Sequence, residues 1–469
     1  SNRNCPNGET IMEKFKSFIT EQKEEKYRIL VISSESNNDK MFHTAQRVTD
    51  EAKKSGHDVY VVKVEGAIIS YDDDYKIYNS DDKDGFAINR DTIAIVRGAV
   101  RLKKSYLDLL SQLEKIGVCM VNSRETVEIS SDKYRTYVKL QDFGLTQPKT
   151  VLIPNADTWK QALETLDNKF PIIMKTLEGS KGVGVLFIES ERQIESLVQL
   201  LYSQNKDVDL LIQEYIKTDG DIRVIVLGGK VIASMKRDVV EGDFRSNVSQ
   251  GAKVEEYKLT ELEVEQCLLA AKAINGSWAA VDFIASEKPK TEPPYILEVN
   301  HSPGTEGIEK ATNKNIVKQV IDFYSNPDNR YSVPTQCGWE EIIEVKPFGD
   351  VVAKFDTGNG ATASTIHADK LEVKGKQVIW TYNNKTITSK VQRVAKVDVG
   401  GLNDYSEERY AVLLNIEFAG TLYKNVEFLL DDREDRSPIL LNRKTMRMLN
   451  VMVNPQRKFV VTTQYTLDK

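Results

Sequence analysis

The chain has 469 residues, 40% hydrophobic and 29% charged, more than one ordinary core holds, which predicts about three domains. Its net charge of −6 argues against a nucleic-acid-binding face, and no apolar run approaches the roughly 18 residues of a membrane span. Cys5, Cys119, Cys267 and Cys337 are scattered without a CxxC pair, and the histidines form no HExxH. Reduced thiols in a cytoplasmic setting are therefore expected, without a disulfide frame or a histidine-built zinc site.

Residues 1–26 are polar apart from one amphipathic stretch, Ile11 to Phe18, and read as an appended extension without a secretory signal. From Tyr27 onward β-branched runs alternate with helical ones. Arg28-Ile-Leu-Val-Ile-Ser33, Asp58-Val-Tyr-Val-Val-Lys63, Asp91-Thr-Ile-Ala-Ile-Val96 and Gly117-Val-Cys-Met-Val121 read as strands, with helices over 40–55 and 103–115. That alternation predicts an α/β domain over 27–123, a parallel sheet covered by helices. The acidic insert at 72–84 reads as a solvated loop.

A mixed region spans 124–330. Helices are expected to start at two capping boxes, Ser190-Glu-Arg-Gln193 and Thr260-Glu-Leu-Glu263. Gly228-Gly229 joins the strands Arg223-Val-Ile-Val-Leu227 and Lys230-Val-Ile-Ala-Ser234 as a hairpin turn. The polar run 325–330 reads as a linker. Beyond Cys337 the pattern is all-β, with strands at Val351–Phe355, Gln377–Trp380, Arg409–Leu413 and Asn425–Leu430. Turns at short intervals predict a small barrel over 336–469.

The chemistry concentrates between Pro171 and Ile308. Glu298 and Asn300 are two residues apart on one strand and so share a face. A neighbouring strand with Asp282 would bring two carboxylates and an amide oxygen together, a set that suits Mg²⁺ shared with nucleotide phosphates. The alternative is a pair of half-buried acids facing solvent or basic partners. Acids flanked by Ala, Val, Ile and Leu are costly to bury unpaired, which favours the metal. Upstream, Lys175 ends the strand Pro171-Ile-Ile-Met-Lys175, and glycines 179, 182 and 184 let backbone amides approach an anion. Lys133 is a second cation, by itself equally an ordinary surface lysine. Gln213-Glu-Tyr215 would supply contacts to an adenosine, or is simply a strand. Arg245-Ser-Asn247 offers a charged fork and two polar groups for developing negative charge.

These segments resemble the ATP-grasp ligases, most closely the RimK branch that adds glutamate to a protein C-terminus. The matching runs are Asp132-Lys133, Lys175, Gln213-Glu-Tyr-Ile-Lys217, Asp221-Ile-Arg223, Glu241-Gly-Asp-Phe-Arg-Ser-Asn247, Val281-Asp282, Glu298-Val-Asn300 with Ser302-Pro-Gly304, and Glu306-Gly-Ile-Glu309. The resemblance implies an ATP-grasp fold, in which a parallel-sheet lobe precedes two α+β lobes that clamp ATP. It implies that Lys133 and Lys175 hold phosphates, and that Gln213, Glu214, Tyr215 and Asp221 bind the nucleoside. Arg245, Ser246 and Asn247 would line the phosphate and acyl site, with Arg245 and Lys175 catalytic. Asp282, Glu298 and Asn300 would hold two Mg²⁺ ions, replaceable by Mn²⁺. The implied reaction joins an amino acid, glutamate, to a protein or peptide C-terminus through an acylphosphate, in a homo-oligomer. His301 departs from the small residue usual before Ser-Pro-Gly and bears on the choice of acceptor.

The C-terminal part resembles the retropepsin-like family of ATP-dependent zinc proteases, through Cys337-Gly-Trp-Glu340, Asp356-Thr-Gly358 with Ile366-His-Ala368, and Pro438-Ile-Leu-Leu-Asn-Arg443. Asp356 would be its catalytic carboxylate. Aspartic proteolysis needs two carboxylates sharing a proton, and the chain supplies one Asp-Thr-Gly, so a second copy would have to complete the pair. Zinc has no visible ligand set, His367 being the only histidine in this part. The competing readings are a ligase with a docking barrel, a ligase acting on a small molecule or free peptide, a protease regulated by nucleotide, and a nucleotide sensor without turnover.

Overall fold

The computed structural model describes residues 26–33, 43–72, 74–80, 82–97, 104–177, 184–206, 208–239, 253–358, 363–398, 406–434 and 437–462. The expected helix at Ile11 to Phe18, glycines 179 and 182, and Arg245, Ser246 and Asn247 lie outside these residues. The chain forms two compact units, Ser1–Ser332 and Val333–Lys469.

The first unit opens with β1 (Arg28–Ser33) and β2 (Asp58–Lys63). The acidic insert then departs from the solvated loop expected of it. Within it β4 (Asp74–Tyr78) pairs with the flanking β3 (Ile68–Asp72) and β5 (Phe86–Ala87) in a sheet of their own, and Asp82 accepts a 2.5 Å hydrogen bond from the Tyr60 hydroxyl. The strand propensity of Ile68, Ile69, Tyr71, Tyr75 and Tyr78 outweighs the aspartates between them.

β6 (Ile93–Arg97) and β7 (Cys119–Val121) complete a four-stranded parallel sheet of order β2-β1-β6-β7. Side chains alternate across it. Ile29 and Val31 pack with Ala45, Val48 and Ala52 of the helix His43–Lys54, whose apolar residues recur at helical spacing. Leu30 and Ile32 pack on the opposite face with Tyr106, Leu110 and Leu113 of the helix Lys104–Ile116.

Next come β8 (Thr150–Ile153), β9 (Ile172–Thr176), β10 (Val185–Ile188) and β11 (Leu210–Glu214), an antiparallel sheet of order β10-β9-β11-β8. The helices Trp159–Thr165 and Glu191–Gln204 share its core. β12 (Gly220–Leu227), β13 (Lys230–Asp238), β14 (Val254–Glu256), β15 (Trp278–Ile284) and β16 (Tyr295–Asn300) form a third sheet, of order β14-β13-β12-β15-β16. The β12–β13 turn is the expected Gly228-Gly229, both at positive φ. Thr260 and Glu263 make the full capping box of the helix Glu261–Ala273. At the other expected box only half forms: Ser190 accepts from Gln193 N, while the Gln193 side chain caps Glu189 N instead.

The second unit contains β17 (Thr335–Gly338), β18 (Glu340–Lys346), β19 (Gly349–Phe355), β20 (Ser364–His367), β21 (Lys370–Lys374), β22 (Gln377–Tyr382), β23 (Lys385–Lys390), β24 (Arg393–Asp398), β25 (Ser406–Phe418), β26 (Thr421–Asp431), β27 (Ile439–Leu441) and β28 (Val451–Asn454). Its main sheet runs β18-β19-β27-β20-β26-β25-β24, and β18 also pairs with β25, so the sheet closes on itself around a core that includes Phe355, Trp380, Phe428 and Leu441. Glu341, fully buried on β18, binds the chain's last described residues. Its oxygens accept from the N–H groups of Gly338, Val460, Val461 and Thr462 and from the Thr462 hydroxyl.

Candidate active site

One face of the five-stranded sheet changes character along its strands. Ile225, Leu227, Ala233, Met235, Trp278 and Ala280 lie in the core. Continuing at spacing two along the same strands gives Asp221, Arg223, Arg237 and Asp282, a charged end to an apolar face. Antiparallel register sets Arg223 opposite Asp282 and Asp221 opposite Arg237. Arg223 holds Asp282 with a fork, Nε to Oδ1 at 2.8 Å and Nη2 to Oδ2 at 2.6 Å. Arg237 bonds both oxygens of Asp221 and reaches Asp282 Oδ2 at 3.1 Å. Burial alone would raise the Asp282 carboxyl, but the two guanidinium groups dominate and hold it down at about 2. An acid that is 4% exposed is thus kept ionised by paired charge.

Glu298 stands directly across from Asp282 on β16, and Asn300 across from Ala280; a register shift follows at Asp282/Phe283. Bulges of this kind re-aim side chains beside active sites. Among the described residues neither the Glu298 carboxylate nor the Asn300 amide has a hydrogen-bond partner. Two half-buried oxygen ligands without hydrogen-bond partners among the described residues, beside an ionised Asp282, fit a hard divalent cation. Asp282 would share its oxygens between that cation and the arginines. Among the described residues no three of His, Cys, Asp and Glu come together as a ligand set.

Lys175, at the end of β9, donates to Gln213 Oε1 at 2.7 Å, and Gln213 Nε2 donates in turn to Thr150 Oγ1 at 2.8 Å. Burial lowers the ammonium of Lys175 to about 8; the charge of Glu298 works against this and that of Lys133 with it. Lys175 therefore lies within electrostatic reach of both. Lys133 opens the helix Lys133–Asp142, capped by Asp132, and its Nζ donates to Leu177 O at 3.1 Å. Leu177 precedes the glycine-rich loop, and at its far end Gly184 has φ +80, where a Cβ would fall 2.5 Å from Thr176 Oγ1.

The structure thus gathers Lys133, Lys175, Gln213, Asp282, Glu298 and Asn300. Gln213 reaches the group as the partner of Lys175. Glu214 is exposed, with its carboxylate on Lys149 N, and Tyr215 packs edge-on to Phe187 at 5.1 Å. Asp221 has both oxygens held by Arg237. His301 was expected beside the acceptor, but its side chain is buried, with Nδ1 2.8 Å from Ser130 Oγ, and burial keeps the ring neutral by lowering it to about 3.

Sequence reasoning gave no role to Arg223, Arg237 or Asn122. Charged residues at spacing two in the apolar run Asp-Ile-Arg-Val-Ile-Val were the available signal for Arg223. Asn122 holds the start of β15 and the turn after β16 together: Nδ2 donates to the carbonyls of Trp278 and His301, and Oδ1 accepts from the N–H groups of Ser277 and Trp278. Nothing local in the sequence marks it.

In the second unit Asp356 follows β19 in a turn, with Oδ1 accepting from Gly358 N at 2.9 Å. Asn442 caps the helix Arg443–Leu449. His367 accepts from Arg433 N at Nδ1 and faces Asp369 Oδ1 at 2.9 Å through Nε2.

Residues 130–324 match the family model described as the RimK-like ATP-grasp domain. The chain is 35% identical over 292 residues to a probable alpha-L-glutamate ligase of Pseudoalteromonas translucida (strain TAC 125), covering 61% of this chain and 93% of that protein. It is 32% identical over 305 residues to the probable alpha-L-glutamate ligase of Hydrogenovibrio crunogenus (strain DSM 25203 / XCL-2), covering 64% of this chain and 97% of that one. Among solved structures, the ATP-grasp ligase PsnB with its minimal precursor is 20% identical, with a TM-score of 0.47, over 64% of this chain and 97% of its own. The chain belongs to the RimK-like ATP-grasp family, and it is an enzyme, an ATP-grasp ligase that forms carbon–nitrogen bonds.

Proposed function

We propose that the chain adds an amino acid, glutamate, to the C-terminus of a protein or peptide, releasing ADP and phosphate. The observation that carries this reading is Lys175 within electrostatic reach of both Lys133 and Glu298, with Asp282 opposite Glu298 across the strands. The relatives are named as glutamate ligases, and a solved neighbour is a ligase with a peptide precursor. Lys133 and Lys175 would neutralise the phosphate oxygens of ATP as an acceptor carboxylate attacks the γ-phosphorus. Glu214 and Tyr215 would meet the nucleoside, and Gln213 and Asp221 would act by fixing Lys175 and Arg237. Asp282, Glu298 and Asn300 would hold Mg²⁺, two ions or Mn²⁺ in their place, which supplies positive charge at the transferring phosphoryl group.

The acylphosphate so formed is attacked by the amine of the incoming amino acid. Arg245 is assigned to the tetrahedral oxyanion, with Ser246 and Asn247 lining the same site. Water must be kept from the acylphosphate, so the two α+β lobes within 124–330 would close over the nucleotide. The buried thiols Cys119, Cys267 and Cys337 are free and suit a reducing, cytoplasmic setting. Among the described residues no helix is long and apolar enough to cross a membrane.

A second reading retains the same ligase and gives the second unit, as a retropepsin-like domain, an aspartic-type cleavage through Asp356. The Asp356 turn at the end of a buried strand favours it, and a homo-oligomer would supply the second carboxylate. The decisive experiment incubates the protein with ATP, Mg²⁺ and single amino acids, with peptide or small-molecule acceptors in parallel. ADP release together with mass increments of one residue on a peptide supports the proposal. ADP release without any increment, or increments only on the small molecule, overturns the peptide acceptor.

A further inference from the structure

The parallel sheet carries a second chemical feature at the ends of its central strands. From β1 the chain goes to β2 on one side and then to β6 on the other, so the sheet order reverses between β1 and β6. Ligands of open parallel sheets bind outside the carboxyl ends of the strands at such a point. Arg97 is the last residue of β6 and pairs in register with Ser33, the last residue of β1.

Arg97 is 2% exposed. Its guanidinium lies over the Trp278 ring at 4.3 Å, and Nη2 donates to the carbonyl of Pro303. Nε and Nη1 are buried and have no acceptor. No acid pairs with it among the described residues, and burial pulls the group down to about 9. A buried cation left without an anion is costly, and elsewhere in this unit the half-buried Arg223 and the buried Arg237 are matched by aspartates. Pro303 follows Asn300 by three residues, so this unmatched cation borders the strand that carries Glu298.

We infer that Arg97 is a specificity-determining residue that receives a carboxylate of the incoming amino acid. This rests on the reading of the chain as an amino-acid ligase. The incoming amino acid keeps its carboxylate charge throughout the reaction, whereas the acceptor carboxylate loses its charge on acylation. A fixed guanidinium on a persisting charge contributes equally to ground and transition states, and its loss is read in KM rather than kcat.

The test compares glutamate with its two monoamides, glutamine and glutamate α-amide, in the native protein and in Arg97→Gln, following ADP release at saturating ATP. The native protein is expected to show a KM raised about tenfold or more for one of the amides. In Arg97→Gln the KM for glutamate rises about tenfold or more, the KM for ATP stays within about twofold, and the preference for acid over that amide collapses. An unchanged KM for glutamate, or an unchanged acid-to-amide ratio, overturns the inference. If Arg97→Gln does not fold, judged by Mg-ADP binding, Arg97→Lys is used; a ratio equal to the native one then overturns it, and a ratio reduced severalfold supports it. Absence of amino-acid-dependent ADP release in the native protein sinks the ligase reading itself, a result distinct from failure of Arg97 alone.

Discussion

Asp282 and Glu341 are carboxylates buried in apolar strands of separate units, and they are neutralised in opposite ways. Asp282 is met by two guanidinium groups and stands across from Glu298, an acid without a hydrogen bond among the described residues. Glu341 is met by backbone N–H groups and one hydroxyl, all belonging to two short stretches of chain. Charge-for-charge pairing leaves a field to which a further cation and anion can respond. Hydrogen bonding to the main chain neutralises the acid locally and ties the segment Val460–Thr462 to a strand. The kind of partner, more than burial itself, separates the proposed working acid from the fastening one.

Asp282→Ala should break both aspects of the first site. It leaves the half-buried Arg223 and the buried Arg237 beside a void and is expected to cost ~3–5 kcal/mol in urea unfolding, with ADP release down on the order of 10³-fold. Glu341→Ala should cost ~3 kcal/mol in the second unit by stranding N–H donors; hydrogen exchange at Val460 and Thr462 reports it, and a protected pair there would contradict the fastening role. The same acid has a pH signature. Burial opposes its charge, but the Thr462 side chain and the N–H groups hold its carboxyl below the usual range. Its contribution is complete above the unfolded-state value and is lost as pH falls through the folded one, so Glu341→Gln should flatten the acid limb of the stability profile.

Lys175 sharpens the comparison from the cationic side. Lowered to about 8, it is charged below that pH and neutral above it. For the free enzyme, kcat/KM for ATP should fall as pH rises through about 8, and Lys175→Arg should move that limb upward. A limb unchanged in the variant would remove Lys175 from phosphate binding. The smallest effect is expected for Thr462→Val, which removes one hydroxyl from Glu341 at ~1 kcal/mol, measurable as a shifted urea midpoint.

Much of this molecule was legible from residue order alone. Alternating β-branched runs gave the parallel sheet, Gly228-Gly229 gave the β12–β13 turn, and Thr260 with Glu263 marked a helix start, because each depends on neighbours in sequence. Glu298 and Asn300 followed from strand periodicity. The partners of Asp282 did not, since Arg223 and Arg237 reach it only through cross-strand register. Arg97 resembled the basic stretch after it, and only its burial under Trp278 sets it apart. The sheet at 68–87 was hidden by its aspartates, and His301 by the assumption that a residue beside a site must face it.

The central claim is that Glu298, among Asp282, Lys133 and Lys175, supports ATP-driven amide formation. Intact-mass analysis of the acceptor beside ADP measurement, in the native protein and in Glu298→Ala, tests it most directly. The account predicts Mg²⁺- and glutamate-dependent additions matched by ADP in the native protein, and neither in a folded Glu298→Ala variant. Native-level additions by that variant would contradict it.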